Sequence, residues 1–105
     1  MMPYRFHPVA DGEYNDLLEW YESHRTGLWH DAAADFREFI DRVRRMPLMY
    51  AKVAGSTPAF NIRIGATSLK SIVVIYEVCP TEVVILSVTH ASARRRPWRN
   101  RLSSN

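Results

Sequence analysis

An α+β domain is predicted by the way the spacing of apolar residues changes along the chain. Between residues 9 and 46 they recur every three or four positions, the period of a helix face; after Pro47 they alternate or run together, as in strands. A short alternating stretch precedes the helical part, and a cluster of arginines follows the last apolar run. The expected architecture is an N-terminal strand, an antiparallel helical hairpin packed on a mainly antiparallel four- to five-stranded sheet, and a basic C-terminal arm. The length of 105 residues suits a single domain, residues 1–105, around one core.

Tyr4-Arg5-Phe6-His7 alternates large apolar and polar residues and is read as the opening strand, closed by Pro8. Pro8 also suits the first turn of a helix. Ala10, Tyr14, Leu17, Leu18 and Tyr21 then form an apolar stripe, with Asp11, Glu13, Asp16, Glu19 and Glu22 largely off it. Acids crowd the first turns, where they complement the helix dipole, and Gly27 sits where a left-handed C-terminal cap is expected. A second helix, beginning near His30 or Asp31, carries Ala32, Ala33, Phe36, Phe39, Ile40, Val43 and Met46 on one face until Pro47 stops it. Arg42, Arg44 and Arg45 close its last turn as a solvated basic face.

Past Pro47, Tyr50 to Ala54 is a weak strand ended by the turn-forming Gly55-Ser56-Thr57-Pro58. Phe60, Ile62 and Ile64 alternate with Asn61, Arg63 and Gly65, which places Arg63 on the face away from the apolar set. Ser71 to Val78 is apolar on both alternations and reads as a central strand; Val83 to His90 is the last one. Strict alternation there groups Val84, Leu86 and Val88 with His90, and Ser87 with Thr89. An open sheet face bearing Ser87, Thr89 and Arg63, with Lys52 at its edge, is thus a candidate binding surface.

The net charge of +3 is local in origin. Arg94, Arg95, Arg96, Arg99 and Arg101 supply five positive charges without an acid between them, while nine of the eleven acids lie between Asp11 and Asp41. An acidic first part and a basic last part point to a separate partner for each. The arm reads as detachable from the core, with Trp98 either an anchor for a partner or an indole folded back over the core. Cys79 is the only cysteine, no apolar run reaches membrane-spanning length, and the N-terminus lacks the apolar segment of a signal peptide, so a cytoplasmic protein is expected. His7, His24, His30 and His90 show neither close spacing nor clustered partner ligands, so neither metal nor cofactor is expected.

Several local matches fall in a fixed order: Phe6-His7-Pro8, Trp20-Tyr21-Glu22, Gly27-Leu28, Pro47, Tyr50, Arg63, Ile75-Tyr76-Glu77-Val78, Val88-Thr89-His90, Arg95-Arg96-Pro97-Trp98 and Arg101. On these points the chain resembles the RelE/ParE superfamily of toxins from bacterial type II toxin–antitoxin systems. Leu69-Lys70-Ser71 stands where relatives commonly carry Phe-Pro-Tyr, and Ala91-Ser92-Ala93 separates His90 from the arginines. The resemblance implies a toxin held inactive by a cognate antitoxin, whose disordered C-terminal segment wraps the hairpin and sheet. Trp20 and Tyr21 read as hairpin packing or antitoxin contacts, Trp29 as a lid at the helix junction or an antitoxin contact, and Arg63 as an antitoxin contact.

Two modes of growth inhibition follow from the resemblance. The favoured one is ParE-like: the chain stalls DNA gyrase through a binding arm of Arg94, Arg95, Arg96, Trp98, Arg99 and Arg101, with no active site, an action associated with plasmid stabilisation. The alternative is a RelE-like endoribonuclease acting on ribosome-bound messenger RNA, with Lys52, Arg63, His90 and Arg95 supplying the acid, base and phosphate-stabilising charges. A third reading is a non-toxic regulatory partner. The Ala91–Ala93 spacer favours the binding arm, because it sets the arginines away from His90.

Overall fold

The structure, a computed structural model, describes residues 1–54, 56–57, 59–94 and 97–102. Strand β1 (Tyr4–Phe6) leads into helices α1 (Pro8–His24) and α2 (Leu28–Arg45). Strands β2 (Ala51–Lys52), β3 (Asn61–Ala66), β4 (Ile72–Val78) and β5 (Val83–His90) follow, and a 3₁₀ turn spans Arg99–Arg101. The five strands form one sheet in the order β1-β5-β4-β3-β2. Among the described residues only the β1–β5 pair is parallel. The two helices pack on this sheet.

Local chemistry fixes the ends of the helices. His7 caps α1, its Nδ1 accepting the Val9 N–H at 3.1 Å, and Pro8 occupies the first position, where no donor is needed. The link between the helices is only Arg25-Thr26-Gly27, and Gly27 adopts φ 92°, a left-handed turn that side-chain-bearing residues avoid. Glu22 Oε1 accepts the N–H groups of Gly27 (2.9 Å) and Trp29 (3.3 Å), tying the end of α1 to the start of α2. Gly27 thus serves as the N-cap of α2, which begins at Leu28 rather than near His30, since Glu22 supplies the missing acceptor.

Between helices and sheet lies the larger core, in which Leu17, Phe36, Phe39, Ile40 and Val43 meet Ile72, Val74, Tyr76, Val83, Ile85 and Val88. The Tyr50 ring crosses β3 so closely that a Cβ at Gly65 would stand 2.7 Å from its Cδ1, which is why that strand position carries no side chain.

The faces of β5 differ from strict alternation. Ile75 opposes Ser87 while Tyr76 opposes Ile85, leaving Leu86 as the extra residue of a β-bulge. Val83 and Ile85 face the helices before the bulge, and Val88 with His90 does so after it; Val84 and Leu86 face the opposite way. The expected open face is also corrected. Ile62, Ile75, Val84 and Leu86 build a second core there, closed by Trp98 and edged by Phe60, Ile64 and Leu102. Ser87 on that side is 1% exposed. Arg63 pairs in register with Tyr76 and therefore lies on the helix side instead. A strand that is apolar on both alternations, as β4 is, needs cover on both faces, and the C-terminal segment provides the second.

Candidate functional site

The basic arm is folded onto the domain over its described part. Trp98 is 7% exposed and sits in the outer core. Arg99 stacks on its ring, 4.7 Å from guanidinium carbon to centroid, and donates from Nη2 to the Ala54 carbonyl at 2.9 Å. Arg101, also 7% exposed, donates from Nη1 to Glu13 Oε1 (2.9 Å) and to the Leu86 carbonyl (2.8 Å). The same Glu13 oxygen accepts the Val88 N–H at 3.1 Å. In the isolated chain, then, Trp98 and Arg101 are holding groups, because burial and hydrogen bonds commit both side chains inward. Arg94 is exposed; Arg95 and Arg96 lie outside the described residues.

Residues proposed for phosphate chemistry are spread apart. Arg63 is committed to carbonyls, donating from Nη1 to Leu48 (2.9 Å) and Tyr50 (2.8 Å) and from Nε to Asn61 Oδ1 (3.1 Å). Tyr76 assists by donating its hydroxyl to Pro47 at 2.8 Å, and burial pushes that phenol up to about 12, so it remains a donor. Arg63 and Tyr76 thus hold the connection from α2 to β2. Lys52 is exposed at the β2 edge. His90 lies opposite Ile72, whereas Arg63 lies opposite Tyr76. Four residues of rise and two strand spacings separate their Cα atoms by about 16 Å.

His90 belongs to a different neighbourhood. Its Nδ1 accepts the Ser92 N–H at 3.1 Å and stands 2.7 Å from Ser92 Oγ, while its ring lies 5.4 Å from that of Trp20. Trp20 and Trp29 are exposed on the hairpin, but Tyr21 is buried and donates its hydroxyl to the Lys70 carbonyl at 2.7 Å. Of the residues expected to meet an antitoxin, the two tryptophans share the helical surface; Tyr21 and Arg63 serve internal contacts.

A groove of about 410 Å³ runs between α1 and β5, lined by Asp16, Leu17, Trp20, Val88, His90 and Arg94, with Glu13 also contributing to its wall. Sequence reasoning assigned no role to Glu13. The available signal was its spacing: Glu13 falls three residues after Ala10 and four before Leu17, inside the buried stripe of the helix.

A helical hairpin on a five-stranded, mostly antiparallel sheet is the architecture expected from the sequence; the pairing of the N-terminal strand with the last strand is added by the structure. The chain matches a solved structure described as the chromosomal ParDE TA system from P. aeruginosa, with a TM-score of 0.68 over 86% of this chain and 96% of that one. Sequence identity between the two is 15%, so the likeness is one of fold. No family profile matches the chain, and no curated protein does. Among the described residues no helix is long and apolar enough to cross a membrane.

Proposed function

We propose that this chain is the toxin of a type II toxin–antitoxin pair, active in the cytoplasm by a ParE-like action on DNA gyrase and neutralised by a cognate antitoxin. The match to a ParDE chain over nearly its whole length carries the reading. Choice of mode rests on the dispersal of charge. A ribonuclease must bring acid, base and phosphate-stabilising cations to one phosphate. Here His90 lies about 16 Å from an Arg63 already engaged by three acceptors, a separation that supports a binding surface over a catalytic centre. The surface that would meet the target is Arg94 and Arg99, together with Arg95 and Arg96; Trp98 and Arg101 hold it in place.

Induction without antitoxin in a bacterial host is expected to arrest growth, with gyrase-dependent DNA breaks and an SOS response. Messenger RNA cut on the ribosome while the DNA stays intact would reverse the choice of mode. His90→Ala separates the two chemically. Toxicity persists in that variant if the action is binding, and falls by about 10²- to 10⁴-fold if His90 is a general acid or base.

A further inference from the structure

Three properties of the groove between α1 and β5 describe what it can hold. The first is an unpaired strand edge. Among the described residues β1 pairs only with Val83 to Ile85, so from Leu86 to His90 strand β5 has β4 on one side and no described strand on the other. Side chains answer two groups of that edge: Glu13 takes the Val88 N–H and Arg101 the Leu86 carbonyl. Alternate residues of a strand turn their N–H and C=O to the same edge, and Ala91 turns toward β4, donating to Ser71. The Val88 carbonyl and the His90 N–H therefore face the groove as the pair left for a partner's main chain, the His90 carbonyl being taken by the Ala93 N–H at 3.0 Å.

The second property is negative charge with unused acceptor capacity. Glu13 is 7% exposed, and its Oε2 has no hydrogen-bond partner among the described residues. Asp16, on the rim, makes no ion pair among them. Arg101 already balances the formal charge of Glu13, so Asp16 supplies the net attraction and Glu13 a second acceptor. The third property is an aromatic wall, since Trp20 is 45% exposed. Arg94 lines the groove as well and opposes a uniformly basic ligand.

We propose that this groove binds an extended segment of a partner protein bearing a single basic side chain. The segment adds its main chain to the free edge of β5, and its arginine or lysine head crosses Trp20 to reach Asp16 and Glu13 Oε2. The partner is the antitoxin, so its identity rests on the toxin–antitoxin reading, whereas the chemistry of the groove does not.

The probe is the peptide acetyl-Thr-Val-Arg-Val-Thr-Val-amide, titrated into the ¹⁵N-labelled full chain and followed by NMR. Saturable shifts are expected at the amides of Val88 and His90 and at the Trp20 indole. Replacing the peptide's arginine by glutamate, or the protein's Asp16→Asn or Trp20→Ala, should weaken binding about tenfold, the effect of one charge-assisted contact. Two further arginines in the peptide should bring no gain, because of Arg94. Equal affinity for the glutamate peptide, shifts confined to the exposed acids of α1, or no saturable shift at all would overturn the proposal. Growth arrest is scored separately, so a failed titration leaves the toxin reading standing and a failed arrest leaves the groove chemistry standing.

Discussion

Glu13 and Arg101, 88 residues apart in the chain, share one buried ion pair and between them satisfy two groups of the β5 edge. Removing one partner strands a charge away from water, which costs about 3–5 kcal/mol, whereas replacing both by apolar groups of similar size is often nearly neutral. Arg101→Met should therefore be strongly destabilised in urea denaturation, and Glu13→Leu combined with Arg101→Met should lose less than the sum of the two single changes, although the Val88 N–H and Leu86 carbonyl lose their side-chain partners. Near-additive losses in that cycle would mean the pair is not coupled. At the start of α1, His7 makes a second residue-level prediction. Its Nδ1 must be unprotonated to cap the helix, and burial first, then Arg101 and Arg5, hold its pKa below the usual 6.5 against a weaker pull from Glu13. A histidine depressed in the folded state contributes stability above about pH 6.5 that is lost as pH falls through the folded-state value. The His7→Asn variant keeps a capping acceptor, so its stability should fall less between pH 7 and pH 5 than that of the parent. Neither role was visible residue by residue. An acid is expected off the apolar stripe, where the sequence reading sets Glu13, and the cation that makes its burial tolerable is Arg101, far away in sequence.

At the scale of elements, the helices and strands were readable because their periods are unambiguous. The last strand, Val83–His90, coincides with the apolar run, and the helix breaks fall at Pro47 and Gly27 as expected. What the pattern hid was the bulge at Leu86, since no glycine or proline marks it and one inserted residue exchanges the two faces. The reading of the arm as detachable failed for a related reason. Strand β4 is apolar on both faces, and the second face requires a cover to which Trp98 and Leu102 contribute, beside Val53 and Phe60. Ending the chain after Ala93 should accordingly yield a destabilised, aggregation-prone protein rather than a folded, inactive domain. Trp98→Ala, which keeps the rest of the segment, should cost about 3–5 kcal/mol in denaturation experiments. A cooperative, native-like unfolding transition in the truncated chain would contradict the covering role. Tests of target binding are therefore better made with Arg94→Ala and Arg99→Ala, whose side chains lie on the surface.

Across the whole molecule, the separation of charge seen in the sequence survives folding, with one modification. Acidic α1 borders the groove, which Arg94 also lines, while Arg99 lies outside it; Arg101 has crossed to the acidic side and joined it. The candidate site was legible as a class of surface, basic with an aromatic, but its split into exposed and holding residues depends on which side chains reach the outer sheet face, and spacing along one strand does not encode that. The parallel β1–β5 pair and the Glu13–Arg101 bridge also set an order of events during synthesis. Tyr4 finds its strand partner only when Val83 has been made, and Glu13 finds its counter-ion only at Arg101. The packing of β1 and α1 against β5 thus joins early residues to late ones, and such contacts form slowly because long loops must close before they are rewarded. A chain still being translated can build its helical hairpin, yet it holds an unfinished sheet and an uncovered apolar face until Trp98 and the Arg99–Arg101 turn have emerged.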